Sequence, residues 1–207
     1  PRLVSSAASD VYKRQLNSEN YSFDMNTSSI GSINFSSLRG VAYNGEFFAL
    51  GETDNKNIYI WKGIPGLNDE PDYIIQNPVG VGRIDMNDEW LVVSAYPGAG
   101  SPVHVINLTN LDSGIMLPVP GNDDFPQGVS INEKGFFIAL QGSNKVVGWS
   151  SVQDALNGSS PTMSFGGTTN KTNSGTKMAS TVHWDGFHLW VGEFKFSNRL
   201  LGFAPSK

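Results

Sequence analysis

The chain has 207 residues, 39% of them hydrophobic and 11% aromatic, enough to bury one sizeable core. Only 16% are charged, the net charge is -5, and lysine and arginine form no cluster or stripe, so nucleic-acid binding has no electrostatic footprint. The lack of cysteine excludes disulfides and thiolate-ligated metals, and no apolar run approaches the roughly 20 residues that span a bilayer.

Taken in chain order, residues 1–15, "PRLVSSAASDVYKRQ", show no apolar period and no signal-peptide layout, because Arg2, Lys13 and Arg14 flank no hydrophobic segment. They read as translated adapter sequence of the kind left on fragments from metagenomic assemblies, or else as a disordered tail. The folded part is expected over 16–207. Residues 21–25, within "NYSFDMN", are expected to be an outer strand.

From Leu38 the same grammar runs four times. The first copy is "RGVAYNGEFFALGETDNKNIYIWKG", with a strand, a turn at Asn44-Gly45, a strand, a polar loop and a strand closing on Trp61. The second turns at Asn87-Asp88, the third at Lys134-Gly135 before closing on Trp149, and the fourth at Asp185-Gly186 before ending on Phe203. Asn-Gly and Asp-Gly supply the positive φ angles of tight hairpins. The runs "EFFALGE", "EWLVVSA", "FFIALQG" and "FHLWVGE" are apolar on both faces and rich in aromatic and β-branched residues, as strands covered on both sides require. A unit of this length that cannot bury its own faces predicts an all-β propeller of four-stranded antiparallel blades, over about 38–77, 78–122, 123–169 and 170–207. The competing all-β architecture is a sandwich. "SVQDALNG", within the third copy, is weakly helical and suits a short turn between strands. The fourth copy stops after its third strand, so 21–25 is expected to end an earlier blade, the chain being an open part of an incomplete six-bladed ring; the alternative is that 21–25 completes the fourth copy and closes a four-bladed ring.

"NIYIWKGIPGLNDEPDYIIQN", residues 57–77, and "VGEFKFSNRLLGFAPS", with Asn198 and Arg199 before the strand, resemble the blade ends and linkers of NHL-type repeats in microbial six-bladed propellers. The resemblance spans roughly residues 38–206. It implies a propeller related to non-enzymatic protein, glycan or RNA binders, and to calcium-dependent lactonases of the gluconolactonase type.

Ligands of propellers meet the mouth of the central channel, built by loops entering the innermost strands and leaving the second ones. Register places Arg39, Arg83 and Gln127 at the first of these and Glu52, Tyr96, Gln141, Glu193 and Lys195 at the second. Arg39 and Arg83 suit bidentate binding of a carboxylate or sugar acid, and Glu52 or Glu193 suits Ca²⁺ ligation or general base catalysis. The same groups can instead satisfy one another and water at the channel mouth. His104, His183 and His188 follow no metal-ligand spacing and read as structural, and Trp61 and Trp149 are expected between blades. No serine elbow and no phosphate loop is present. The expectation is a non-enzymatic binding or scaffolding module, extracellular or periplasmic, meeting a protein or glycan partner and needing no cofactor. The alternative is a calcium-dependent hydrolase or lyase.

Overall fold

The computed structural model describes residues 27–96, 102–111, 114–119, 125–167, 175–194 and 199–204. The tail at 1–15, the strand at 21–25 and Lys195 lie outside the described residues.

The four repeats fold as four antiparallel sheets, each a meander. Before them stands a hairpin, β1 (Ser29–Ile30) with β2 (Ile33–Asn34). Blade one is β3 (Leu38–Tyr43), β4 (Phe47–Glu52), β5 (Asn57–Lys62) and β6 (Tyr73–Gln76). Blade two is β7 (Val81–Met86), β8 (Trp90–Ala95), β9 (Val103–Asn107) and β10 (Gly114–Leu117). Blade three is β11 (Pro126–Asn132), β12 (Gly135–Leu140), β13 (Lys145–Trp149) and β14 (Met163–Gly166), with the short helix α1 (Val152–Leu156) between its last two strands. Blade four has three strands among the described residues, β15 (Ala179–Trp184), β16 (Leu189–Glu193) and β17 (Leu200–Phe203). The innermost strands β3, β7, β11 and β15 pack against one another in that order.

The corner between the first two strands of each blade is made by a side chain. Asn44 Oδ1 accepts from the Glu46 and Phe47 N–H groups, and Asn87 Oδ1 accepts from those of Glu89 and Trp90. Asn132 Oδ1 accepts from Lys134 N–H, and Asp185 Oδ1 from those of Phe187 and His188. Such an Asx side chain stands in for a backbone turn. Positive φ at the corner is used by Gly45 and Gly186, the glycines of the Asn-Gly and Asp-Gly pairs, whereas blades two and three turn on the Asx side chain without it. The third corner accordingly starts at Asn132, ahead of Lys134.

The blades meet in apolar wedges. Ala42, Phe47, Ala49, Ile58 and Ile60 of blade one face Ile84, Met86, Leu91 and Ile106 of blade two. Trp90, Val92, Val103 and Val105 of blade two face Ile131, Phe136, Ile138 and Trp149 of blade three, and Phe137, Ala139 and Val146 of blade three face Val182, Leu189 and Val191 of blade four. Consecutive residues of a strand therefore serve different wedges, which is why the second strands run apolar on both faces, as in Phe47–Leu50 and Trp90–Val93. Trp149 and Phe203 each turn toward the preceding blade. Trp61, at the equivalent place in blade one, packs with Leu50 and Tyr59 under Ile30 and Ile33 of the hairpin. The hairpin thus covers part of the face that other blades present to their predecessors. It went unread in the sequence because four strand residues carry no periodicity.

Helix α1 begins with a reciprocal cap: Ser151 Oγ accepts from the Asp154 N–H and donates to the Asp154 carboxylate. Its Val152 and Ala155 are buried in the wedge between blades two and three.

Candidate functional site

Every inner strand starts with a β-bulge at the same repeat position. The register slips between Leu38 and Gly40, Val81 and Ile84, Pro126 and Gly128, and Ala179 and Thr181. Two residues then oppose one, the strand bends, and a side chain is re-aimed. The pairs so displaced are Arg39 with Gly40, Gly82 with Arg83, Gln127 with Gly128, and Ser180 with Thr181. Arg39 and Gln127 thus hold the first bulge position and Arg83 the second, an offset that counting residues does not show. Ser180, the fourth occupant of the first position, was missed because serine carries no charge pattern.

The loops leaving the second strands close over these bulges. The backbone N–H groups of Thr53, Tyr96, Gln141 and Phe194 donate to the carbonyls of Ser37, Gly80, Phe125 and Met178, the residues entering the inner strands. Tyr96 and Gln141 are therefore equivalent to each other, whereas Glu52 and Glu193 stand one position earlier, as the last residues of β4 and β16.

That single step decides the fate of the two carboxylates. Glu52 is wholly buried. Its Oε1 accepts from the Ser36 N–H at 2.6 Å and the Ser36 hydroxyl at 2.8 Å, and its Oε2 accepts from the Asn55 amide and the Tyr59 hydroxyl, both at 3.0 Å. Burial pushes its pKa up, but the donors from Ser36, Asn55 and Tyr59 together outweigh burial and hold it at about 2. Glu193 repeats the arrangement: its side chain is inaccessible, Oε1 accepts from the Lys177 N–H at 2.6 Å, and both oxygens are gripped by the Arg199 guanidinium at 2.8 Å. Each carboxylate accepts from a backbone N–H 16 residues upstream, so the pair act as equivalent latches on the chain entering blades one and four.

Arg39, Arg83 and Tyr96 come together. The Arg39 guanidinium lies over the Tyr96 ring, 3.5 Å from its centroid, and Arg83 Nη1 donates to the Arg39 carbonyl at 3.3 Å. Both arginines are exposed, and neither makes an ion pair among the described residues. Gln127 joins this group through its backbone, since its carbonyl accepts from Ser94 Oγ, which also accepts from the Arg83 N–H. Gln141 is further round, its amide donating to Ser180 Oγ at 2.7 Å across the boundary between blades three and four.

Four successive antiparallel meanders with adjoining inner strands and the same bulge in each fix the architecture. The fold is a β-propeller. No protein-family model matches the chain, and no curated protein resembles it in sequence. Solved structures do resemble it. The computationally designed protein Ika4 is 9% identical, with a TM-score of 0.58 over 88% of this chain and 99% of the other. The β-propeller domain of Cps50 (Swd1) from Myceliophteria thermophila is 10% identical, with a TM-score of 0.57 over 79% of this chain. A chain of a nidogen/laminin complex is 12% identical, with a TM-score of 0.61 over 82%. The chain spans 51% and 60% of the length of these last two. At such identities the likeness concerns the fold alone.

Within the propeller, the groove beside Arg83 is lined by polar and apolar groups alike, Ile84 and Val182 among the latter. Arg83 and Asp85 on β7, Gly128 and Val129 on β11, and Thr181 and His183 on β15 line a groove of about 340 Å³ across three inner strands. Burial pushes the Asp85 carboxyl above its ordinary range, against donation from the Ile131 and Met86 N–H groups. Its bond from Ile131, at 2.9 Å, joins blade two to blade three. Asn44 Nδ2 donating to the Asn87 carbonyl and the Trp184 N–H donating to Ser130 Oγ join the other neighbours. Among the described residues no group of three or more histidines, aspartates or glutamates is placed to hold a metal ion. His104 is buried in blade two against Asn77 Oδ1, at 3.0 Å, and the His188 ring lies tilted beside Trp190, 5.6 Å between centroids.

Proposed function

We propose that the protein is a non-enzymatic binding or scaffolding propeller of NHL-like type, working outside the cytoplasm, whose channel mouth grips a carboxylate-bearing protein or glycan. The observation behind this reading is the Arg39 and Arg83 pair, two exposed guanidinium groups tied through the Arg39 carbonyl, with no carboxylate on either among the described residues. A guanidinium offers a planar fork that matches a carboxylate with two parallel hydrogen bonds. Stacking on Tyr96 holds one fork in place before the ligand arrives, which lowers the ordering cost of binding. The calcium-dependent alternative relies on Glu52 or Glu193 as ligand or base, and both carboxylates are enclosed by N–H and O–H donors.

The test is calorimetric titration of the full chain with a short polyglutamate peptide and, separately, with an acidic oligosaccharide. One of the two is expected to bind, and Arg39→Ala and Arg83→Ala each to weaken it by about tenfold or more. Unchanged affinity in both variants, or no binding of either probe, refutes the proposal.

A further inference from the structure

The inner strands of blades two, three and four carry side chains at matching levels of the channel wall. Counted back from the corner residues Asn87, Asn132 and Asp185, one level holds Arg83, Gly128 and Thr181, and the next holds Asp85, Ser130 and His183. Residues two apart on a strand share a face. Ile84 and Val182, between the levels, are buried in the wedges, so Arg83, Asp85, Thr181 and His183 face the groove that all four line. Gly128 puts no side chain between Arg83 and Thr181. At about 340 Å³ the groove is at the small end of the roughly 300–1,000 Å³ of ordinary ligand pockets, room for a sugar unit and not for a folded partner.

These groups differ in what they have left to give. Ser130 Oγ is taken by the Trp184 N–H, and the Asp85 carboxylate accepts from the Met86 N–H at 3.0 Å and the Ile131 N–H at 2.9 Å. Thr181 and His183 are exposed, and among the described residues neither side chain makes a hydrogen bond. A hydroxyl and an imidazole both donate and accept, so they match the hydroxyl groups of a ligand better than a second carboxylate does. Asp85 adds the complementary exclusion. Two residues along β7 from Arg83, it repels a further carboxylate at that depth and leaves room for a neutral donor.

We propose that the acid gripped by Arg39 and Arg83 is a uronic acid unit of a glycan, with its carboxylate on the two guanidinium groups and its ring hydroxyls on Thr181 and His183. Resting on the arginine grip proposed above, Thr181, His183 and Asp85 add the choice of a glycan over an acidic peptide. Arg83 belongs to both halves of the site, since its Nη1 donates to the Arg39 carbonyl and its side chain lines the groove. A uronic acid carries a carboxylate and several hydroxyls on one rigid ring, so a single unit can meet the arginine fork and the polar wall together. A glutamate side chain meets the fork and leaves Thr181 and His183 without a partner.

The full 207-residue chain is titrated calorimetrically with tri-galacturonate, with capped tri-glutamate of the same charge, and with neutral tri-galactose. Tri-galacturonate is expected to bind about tenfold or more tighter than either of the others. Thr181→Val and His183→Ala are each expected to weaken it by about fivefold, the loss of one hydrogen bond. Both side chains are exposed, so the melting temperatures of these variants should match that of the wild type. Equal or tighter binding of tri-glutamate overturns the glycan assignment and leaves the arginine grip standing. Equal binding of tri-galactose, or no binding of any of the three, removes the arginine grip and the glycan assignment with it. Tri-galacturonate affinity that is unchanged in both Thr181→Val and His183→Ala also overturns the proposal.

Discussion

Replacing Glu52 by Gln tests the latch reading most sharply, because the effect has both a size and a pH signature. The Glu52 pKa is held at about 2 from an ordinary 4.5 by donors that a neutral amide does not satisfy in the same way. A folded-state pKa below the unfolded value contributes stability that is complete above the unfolded pKa and is lost as pH falls through the folded one. A displacement of this size corresponds to about 3 kcal/mol at neutral pH and to about 1 kcal/mol at about pH 3. Glu52→Gln is therefore expected to lower unfolding free energy in urea by about 3 kcal/mol at neutral pH, with the gap from wild type narrowing by about 2 kcal/mol at about pH 3. Glu70→Gln, at an exposed carboxylate that accepts from Ser32, serves as the comparison and is expected to cost about 0.5 kcal/mol or less. A Glu52→Gln gap that stays constant across this pH range refutes the reasoning, as does one no larger than that of Glu70→Gln.

Other outcomes follow from the same geometry. Asn44→Ala removes an acceptor for two N–H groups and the donor to Asn87, and is expected to cost about 1–2 kcal/mol in urea unfolding. Gly114→Ala places a Cβ 1.9 Å from Nε2 of His104, a buried ring whose Nδ1 is bonded to Asn77, so the melting temperature should fall by an amount matching about 2 kcal/mol or more. Burial lowers the His104 pKa below 6.5, so wild-type stability should decline as pH falls below 6.5, and His104→Gln should flatten that slope in urea melts. Trp149→Phe keeps the ring against Phe136 but loses the bond to the Ser159 carbonyl, with an expected loss of about 1 kcal/mol.

The repeat was legible because its signals are local: apolar runs too short for helices, corner residues at regular spacing, and an aromatic closing the third strand. The Asx device at Asn44, Asn87 and Asp185 lay inside the turns already recognised, and Asn132 was passed over because the Lys134-Gly135 pair resembles a turn by itself. The candidate site was harder to read, because its layout depends on long-range register. A bulge inserts a residue without changing the hydrophobic pattern, so Arg39 and Arg83 looked equivalent when they occupy successive positions. Glu52 and Glu193 were recognised as a matched pair, yet whether such a pair faces solvent or the incoming chain depends on Ser36 and Lys177, each 16 residues upstream. Asp85 and Ser130, whose bonds join neighbouring inner strands, have partners 46 and 54 residues away and leave no local trace.

The central claim is that the innermost strands of successive repeats lie side by side about one axis. A Cβ built on Gly40 would be 2.8 Å from Ile84 Cγ1, and one built on Gly128 would be 2.9 Å from Thr181 Cα. Nuclear Overhauser spectra of the full chain should therefore show strong cross peaks from the Gly40 Hα protons to the Ile84 side chain and from the Gly128 Hα protons to Thr181 Hα. Assigned spectra in which both cross peaks are missing would contradict the account.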